Sequence, residues 1–263
     1  MQLIEEHLTY PGDGASLKAF LARPAGAGPF PAVIVIHEIW GLDAHIEEVA
    51  RRFAREGFAA LAPDLYSRGG MPVSTEEIGA AMRFTQTLPP AARTNPQAMQ
   101  AKMSELPDAE RATIARTMQW LQTRDLSQNV VDLQAARQWL ANQPFIRADR
   151  IAALGFCMGG GLSARLAATG AALSTCVIFY GENPPADQIT NIRCSVLGLY
   201  GGDDHRITDG IPALAETMQR AGKSFEHYVY PGAPHAFFND TRATYRPEAA
   251  ADAWQRVLAF LPR

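Results

Sequence analysis

Three side chains in the second half of the chain are of the types that together carry out acyl transfer: a cysteine, then an aspartate, then a histidine. The cysteine is Cys157, in Gly155-Phe-Cys-Met-Gly159, with Gly160 and Gly161 following and the apolar run 151–154 preceding it. G-x-C-x-G between a strand and a helix reads as a nucleophile elbow with cysteine in the usual serine position. The nucleophile sits on a sharp, strained turn, so its neighbours must be small. The start of the following helix favours thiolate over thiol, and the Met158 N–H points at the reacting oxygen. A glycine-rich strand-to-helix turn also cradles phosphate, so the motif gains meaning only from its partners. Leu199-Tyr-Gly-Gly-Asp-Asp-His-Arg-Ile207 breaks from a strand into an acidic turn, with Asp203 and Asp204 both available as the orienting acid. Tyr230-Pro-Gly-Ala-Pro-His-Ala-Phe237 ends a further strand in a turn that carries His235. Nucleophile, acid and base therefore occur in the order that elbow nucleophiles use.

The elements that must position these groups alternate. Runs at 32–37, 58–62, 151–154, 175–180, 195–200 and 225–230 are close to continuously apolar, as strands buried on both faces of a parallel sheet are. Residues 17–23 mix polar and apolar side chains and fit an antiparallel strand at the sheet edge. Helical spacing appears at 45–56 (Ile46, Val49, Ala50, Phe53), at 129–142, at 159–169 and at 247–261. This βαβα order predicts an α/β fold: one domain over 1–263, an open doubly wound, mostly parallel twisted sheet with helices on both faces. Residues 67–124 break the rhythm and are too long for a plain connection. Helix starts at Thr94-Asn95-Pro96 and Pro107-Asp108, and a stripe of Ile114, Met118 and Leu121, predict a helical insertion there, part of it a cap near the active site. Strand ends are where doubly wound sheets place their sites, and Cys157, Asp203/Asp204 and His235 all follow strands.

Composition narrows the chemistry. Of 263 residues, 47% are apolar and 19% charged, and the net charge of −3 offers no basic field for nucleic acid. No apolar run is long enough for a membrane span, and the start MQLIEEHLTY is no secretory signal. Cys157, Cys176 and Cys194 are the three cysteines, with no C-x-x-C pair. Neither a disulfide framework nor a metal site is expected, and a reducing, cytoplasmic compartment is. Cys176 and Cys194 lie in or beside apolar strands and read as core residues.

The chain resembles the dienelactone hydrolases (carboxymethylenebutenolidases) of the α/β-hydrolase superfamily. The likeness spans most of its length, through His37-Glu-Ile-Trp-Gly-Leu42, Gly57-Phe-Ala-Ala-Leu-Ala-Pro-Asp-Leu-Tyr66, Gly155-Phe-Cys-Met-Gly-Gly160, Asp204-His-Arg-Ile207 and Pro234-His-Ala-Phe237. The resemblance implies hydrolysis of a lactone or small ester by a Cys157–Asp204–His235 triad, with no cofactor. Asp204 is chosen over Asp203 because Ile207 stands three places after it, as in the family's D-x-x-V/I. Ile39 and Met158 are implied as the backbone N–H donors of the oxyanion hole. Glu38 is implied to lie near the thiol and take part in activating it, the resting cysteine staying poorly reactive until substrate disturbs the arrangement. A carboxylate ending a buried strand is in any case costly unless paired or used. The family clamps a substrate carboxylate with arginines, one of them four places after the histidine. Here His235-Ala-Phe-Phe-Asn239 has Asn239 at that place, and the next arginine is Arg242. Trp40, Tyr66, Arg68, Phe237 and Asn239 are candidates for substrate contact, with Arg83 a further cationic candidate. Alternatives are a thioesterase or aryl esterase built on the same triad, and a thiol redox or binding protein without hydrolysis. The expected partner is a small-molecule substrate, with no nucleic acid, no membrane and a monomeric chain.

Overall fold

The computed structural model describes residues 2–262 apart from 70–71, 90–91 and 93–94. Thr94, expected beside a helix start, lies outside the described residues. The described chain divides into two compact units, residues 1–68 with 126–263, and residues 69–125.

The first unit is built on eight strands: β1 (Leu3–Pro11), β2 (Ser16–Pro24), β3 (Phe30–Ile36), β4 (Ala59–Pro63), β5 (Ile146–Phe156), β6 (Thr175–Phe179), β7 (Ser195–Gly201) and β8 (Phe225–Tyr230). They form one sheet in the order β1-β2-β4-β3-β5-β6-β7-β8. From β4 to β8 every pairing is parallel, whereas β1–β2 and β2–β4 are antiparallel. The central strands have no solvated face: Ala32 to Ile36, Ala59 to Ala62 and Ile151 to Leu154 are all buried. This is the burial that their unbroken apolar runs imply.

The edge differs from expectation. β2 is antiparallel but lies inside the sheet, because β1 pairs with it along its whole length, Leu3 with Pro24 through Pro11 with Ser16. β1 escapes recognition because most of Leu-Ile-Glu-Glu-His-Leu-Thr-Tyr-Pro faces water and buries only Tyr10 fully. At the other edge, β8 mixes half-buried and exposed positions rather than being buried throughout.

The helices of this unit are α1 (Ala44–Arg55), α5 (Leu126–Ala141), α6 (Met158–Ala168), the short α7 (His205–Thr208), α8 (Ile211–Arg220) and α9 (Pro247–Phe260). Asp43 starts α1 by accepting the Ile46 N–H at 3.1 Å, and Ile46, Val49, Ala50 and Phe53 turn into the core. Where the first part of this unit ends, Arg68 donates to both oxygens of the buried Asp132 on α5, at 2.5 and 3.2 Å, and to the Asp13 carbonyl at 2.8 Å.

The second unit holds α2 (Thr75–Thr87), α3 (Pro96–Ser104) and α4 (Asp108–Thr123). Ser74 and Glu77 close a capping box at α2, and Asn95 caps α3 with Pro96 in its first turn. On α4 the stripe buries Ile114 and Leu121, with Thr117 between them and Met118 half-buried. Arg83 is exposed on α2.

One very tight approach in the first unit is between the start of α6 and the end of β3. A Cβ on Gly159 would stand 2.6 Å from the His37 carbonyl oxygen and closer still to that of Ile36. Neither backbone can give way without breaking sheet or helix. Gly159→Ala is therefore expected to lower unfolding free energy by about 2 kcal/mol or more, read from urea denaturation, with activity falling alongside.

Candidate active site

β3, β5, β7 and β8 run parallel, with β6 between β5 and β7, and their carboxyl ends lie on one side of the sheet. Glu38, Cys157, Asp204 and His235 each stand one to five residues beyond those ends. Cys157 has φ 55° and ψ −115°, a left-handed backbone that a residue with a Cβ adopts only under constraint. The constraint is local. Its N–H donates to the Phe179 carbonyl at 3.0 Å and its carbonyl accepts the Gly161 N–H at 3.2 Å. Its side chain stands half-buried at the N-terminal end of α6.

Asp204 is buried, and its carboxylate makes no capping bond to α7, which leaves it for His235. His235 Nδ1–H donates to Asp204 Oδ2 at 2.5 Å, whereas Asp203 is exposed. With Nδ1 so fixed, Nε2 is the nitrogen left to serve Cys157. Burial alone pulls the His235 pKa down. The negative charge of a Cys157 thiolate and the hydrogen bonds with Asp204 and Cys157 outweigh it, raising the value to about 10. Geometry and charge therefore favour a protonated His235 beside the Cys157 sulfur.

The loop after β3 is held from both ends. The Glu38 carbonyl accepts from His37 Nδ1 at 2.6 Å and from the Gly41 N–H at 3.3 Å. His37 Nε2 accepts the Leu65 N–H at 3.2 Å, so this buried imidazole is neutral with its proton on Nδ1. Tyr66 donates its hydroxyl to the Ile39 carbonyl at 2.8 Å and reaches Met158 Sδ at 3.6 Å. One phenol thus touches both residues expected to form the oxyanion hole, Ile39 and Met158.

Glu38 is 5% exposed. Its Oε2 accepts from Asn239 Nδ2 at 3.1 Å and faces Arg242 Nη2 at 3.7 Å. The orientation of the Asn239 amide is settled by its other end, whose Oδ1 accepts from the Thr241 N–H at 3.1 Å and hydroxyl at 2.7 Å. Arg242 is itself almost fully buried and also faces Asp43 at 3.9 Å.

Other candidates are placed differently. Trp40 is half-buried in the loop after Ile39. Phe237 is fully buried in an aromatic cluster with Phe179, Tyr180 and Tyr230. Asn239 is fully buried under Glu38, and Arg68 is committed to Asp132 and Asp13. As placed, these last three act on protein groups. In the sequence Arg242 stands out only as the next arginine, and Tyr180 does not stand out as a polar residue. Its one signal is a hydroxyl-bearing side chain that ends an otherwise apolar strand run just before Gly181.

Residues 17–263 match the model of the dienelactone hydrolase family. A protein of Saccharolobus solfataricus, named provisionally as a carboxymethylenebutenolidase, is 41% identical over 261 residues, 99% of each chain. A similarly named Escherichia coli K12 protein is 31% identical over 95% of this chain and 83% of its own. The crystal structure of a protein of Klebsiella pneumoniae, named provisionally as a dienelactone hydrolase, superposes with a TM-score of 0.74 at 32% identity, over 99% of each chain.

Two outcomes follow from this geometry. Tyr66→Phe is expected to lower kcat by about tenfold with KM little changed, since it loosens donors that act on the transition state, measured by steady-state kinetics. The stabilisation that His235 gains as imidazolium is complete below its ordinary value of 6.5 and is lost as pH rises through about 10. Its NMR titration midpoint is expected to move down in Cys157→Ala and again in Asp204→Asn.

Proposed function

This chain belongs to the dienelactone hydrolase family and is a hydrolase of the α/β-hydrolase fold, and from that premise we propose that it cleaves lactones or small carboxylic esters through a cysteine acyl-enzyme. The observation that carries the reading is the line from the strained Cys157 through His235 to the buried Asp204. The Cys157 thiolate attacks the substrate carbonyl carbon, and the carbonyl π electrons move onto oxygen. The N–H groups of Ile39 and Met158 hold that oxyanion, each donor of such a hole contributing about 3 kcal/mol or more. The tetrahedral centre collapses, the C–O bond to the leaving group breaks, and the departing alkoxide or enolate takes the proton from His235. His235, held by Asp204, then removes a proton from water. The hydroxide attacks the thioester, and the carboxylic acid leaves as the thiolate and imidazolium re-form.

The substrate class follows from what surrounds position 239. The Asn239 amide is used at both ends, and Arg242 faces Glu38 and Asp43. Neither residue offers a free cation to a substrate carboxylate, so an uncharged lactone or aryl ester suits the site at least as well as a dienelactone acid. The three free thiols fit a reducing compartment such as the cytoplasm. Among the described residues, no helix is long and apolar enough to cross a membrane. The triad comes entirely from one chain, so a monomer has the full catalytic set.

Steady-state hydrolysis of a dienelactone beside an uncharged aryl ester tests the reading. The aryl ester is expected to be turned over at least as well, with Cys157→Ala losing about a thousandfold or more. His235→Ala should accumulate an acyl adduct on Cys157, visible by mass spectrometry. Turnover that survives Cys157→Ala removes the nucleophile assignment.

A further inference from the structure

The peptide unit between Glu38 and Ile39 carries a carbonyl at one end and an N–H at the other, pointing in opposite directions because the unit is planar and trans. Both lone pairs of the Glu38 carbonyl are taken: His37 Nδ1–H donates to it at 2.6 Å and the Gly41 N–H at 3.3 Å. At the other end, the Ile39 N–H has no acceptor among the described residues. The next peptide unit is held as well, through the Tyr66 hydroxyl on the Ile39 carbonyl at 2.8 Å.

His37 serves the Glu38 carbonyl in one tautomer only. The residue is fully buried, its ring meets Tyr66 edge-on at 5.0 Å, and its Nε2 accepts the Leu65 N–H at 3.2 Å. Acceptance at Nε2 leaves the ring proton on Nδ1, where the Glu38 carbonyl takes it. The Leu65 carbonyl in turn accepts from Asn129 Nδ2 at 3.3 Å, so the peptide that sets the tautomer is itself fixed. Turning the Glu38–Ile39 peptide over would strand the buried Nδ1–H, which makes that orientation costly. A donor on the carbonyl also draws electron density from the amide nitrogen, so the N–H of the same unit becomes a stronger donor.

We propose that His37 is a positioning residue that aims and polarises the Ile39 N–H for an oxyanion, through its Nδ1–H on the Glu38 carbonyl of the same peptide unit. The imidazole acts through that one backbone plane and touches no substrate. Its bond with Leu65 keeps the proton on Nδ1. This rests on the reading of Ile39 as an oxyanion donor in ester cleavage.

The test replaces the imidazole by one half of it at a time. Asparagine carries its amide nitrogen at the Nδ1 position, and glutamine carries its amide at the Nε2 position. His37→Asn therefore keeps a donor for the Glu38 carbonyl and gives up Leu65. His37→Gln keeps an acceptor for Leu65 and gives up the Glu38 carbonyl. In steady-state kinetics on an uncharged aryl ester, His37→Asn is expected to lower kcat by about threefold or less, and His37→Gln by about tenfold with KM little changed, the scale of one hydrogen bond. A merely structural role, tying the two loops through Leu65, predicts the opposite order. That order overturns the proposal, as does equal loss in both variants or a loss carried by KM. Turnover absent from wild type removes the hydrolase reading and this proposal with it, whereas wild-type turnover by His37→Gln removes this proposal alone. Should either variant fail to fold, NMR of the wild type decides. An aryl trifluoromethyl ketone forms a C–S bond to Cys157 while its carbonyl π electrons move onto oxygen, placing a stable oxyanion opposite the Ile39 N–H. Charge drawn toward that N–H makes the Glu38 carbonyl a stronger acceptor, so the His37 Nδ1–H proton resonance is expected to move downfield as the adduct forms. An unmoved resonance overturns the proposal.

Discussion

The site depends first on a steric fact: the first turn of α6 rests directly on the last carbonyls of β3. Only a residue without a side chain fits at Gly159, and contact between those backbones places the elbow beside the loop that carries Glu38 and Ile39. Because β3 and β5 are adjacent in the sheet, their register from Ala32–Ile151 to Ile36–Gly155 fixes the height at which elbow and loop meet. A site assembled this way would, on the proposed function, bring the thiol and the two proposed N–H donors together without induced closure.

Charge is the second organising theme. Cys157, Glu38, Asp204 and Asp43 are acidic groups gathered beyond the ends of β3, β5 and β7, with His235 and Arg242 as the cations that face them. Each carboxylate has a neighbour: Asp204 has His235, Glu38 has Asn239 and Arg242, and Asp43 caps α1 and shares Arg242 with Glu38. Buried charge is tolerated when paired and hydrogen-bonded. The neutral Asn239 is part of that arrangement, supplying a donor without adding a charge.

Much of this was legible in the sequence. The central strands were readable because burial on both faces demands unbroken apolar runs, and Gly155, Gly159 and Gly160 marked the elbow because no side chain fits there. The order of cysteine, aspartate and histidine was readable for the same topological reason. β1 was not, because an edge strand with a solvated face needs few apolar residues. Nor were the roles of Phe237 and Arg68, since aromatic and cationic side chains suit a pocket and a core or an ion pair equally well. Which of these a residue does depends on partners far along the chain: Asp132 for Arg68, Tyr180 for Phe237. Tyr180 was hidden by its own strand, where a phenol reads as one more apolar residue.

The pairing of Arg68 with Asp132 has a consequence for how such a chain can diversify. The first of these residues stands where the polypeptide leaves the sheet-bearing unit, the second shortly after it returns, and two hydrogen bonds tie them together. With exit and re-entry stapled, the free-energy cost of lengthening the intervening segment grows only as the logarithm of its length, by about 0.6 kcal/mol per doubling. Residues 69–125 thus occupy a slot that selection can shorten, extend or replace while Cys157, Asp204 and His235 keep their places: a socket for exchangeable parts in an otherwise fixed machine.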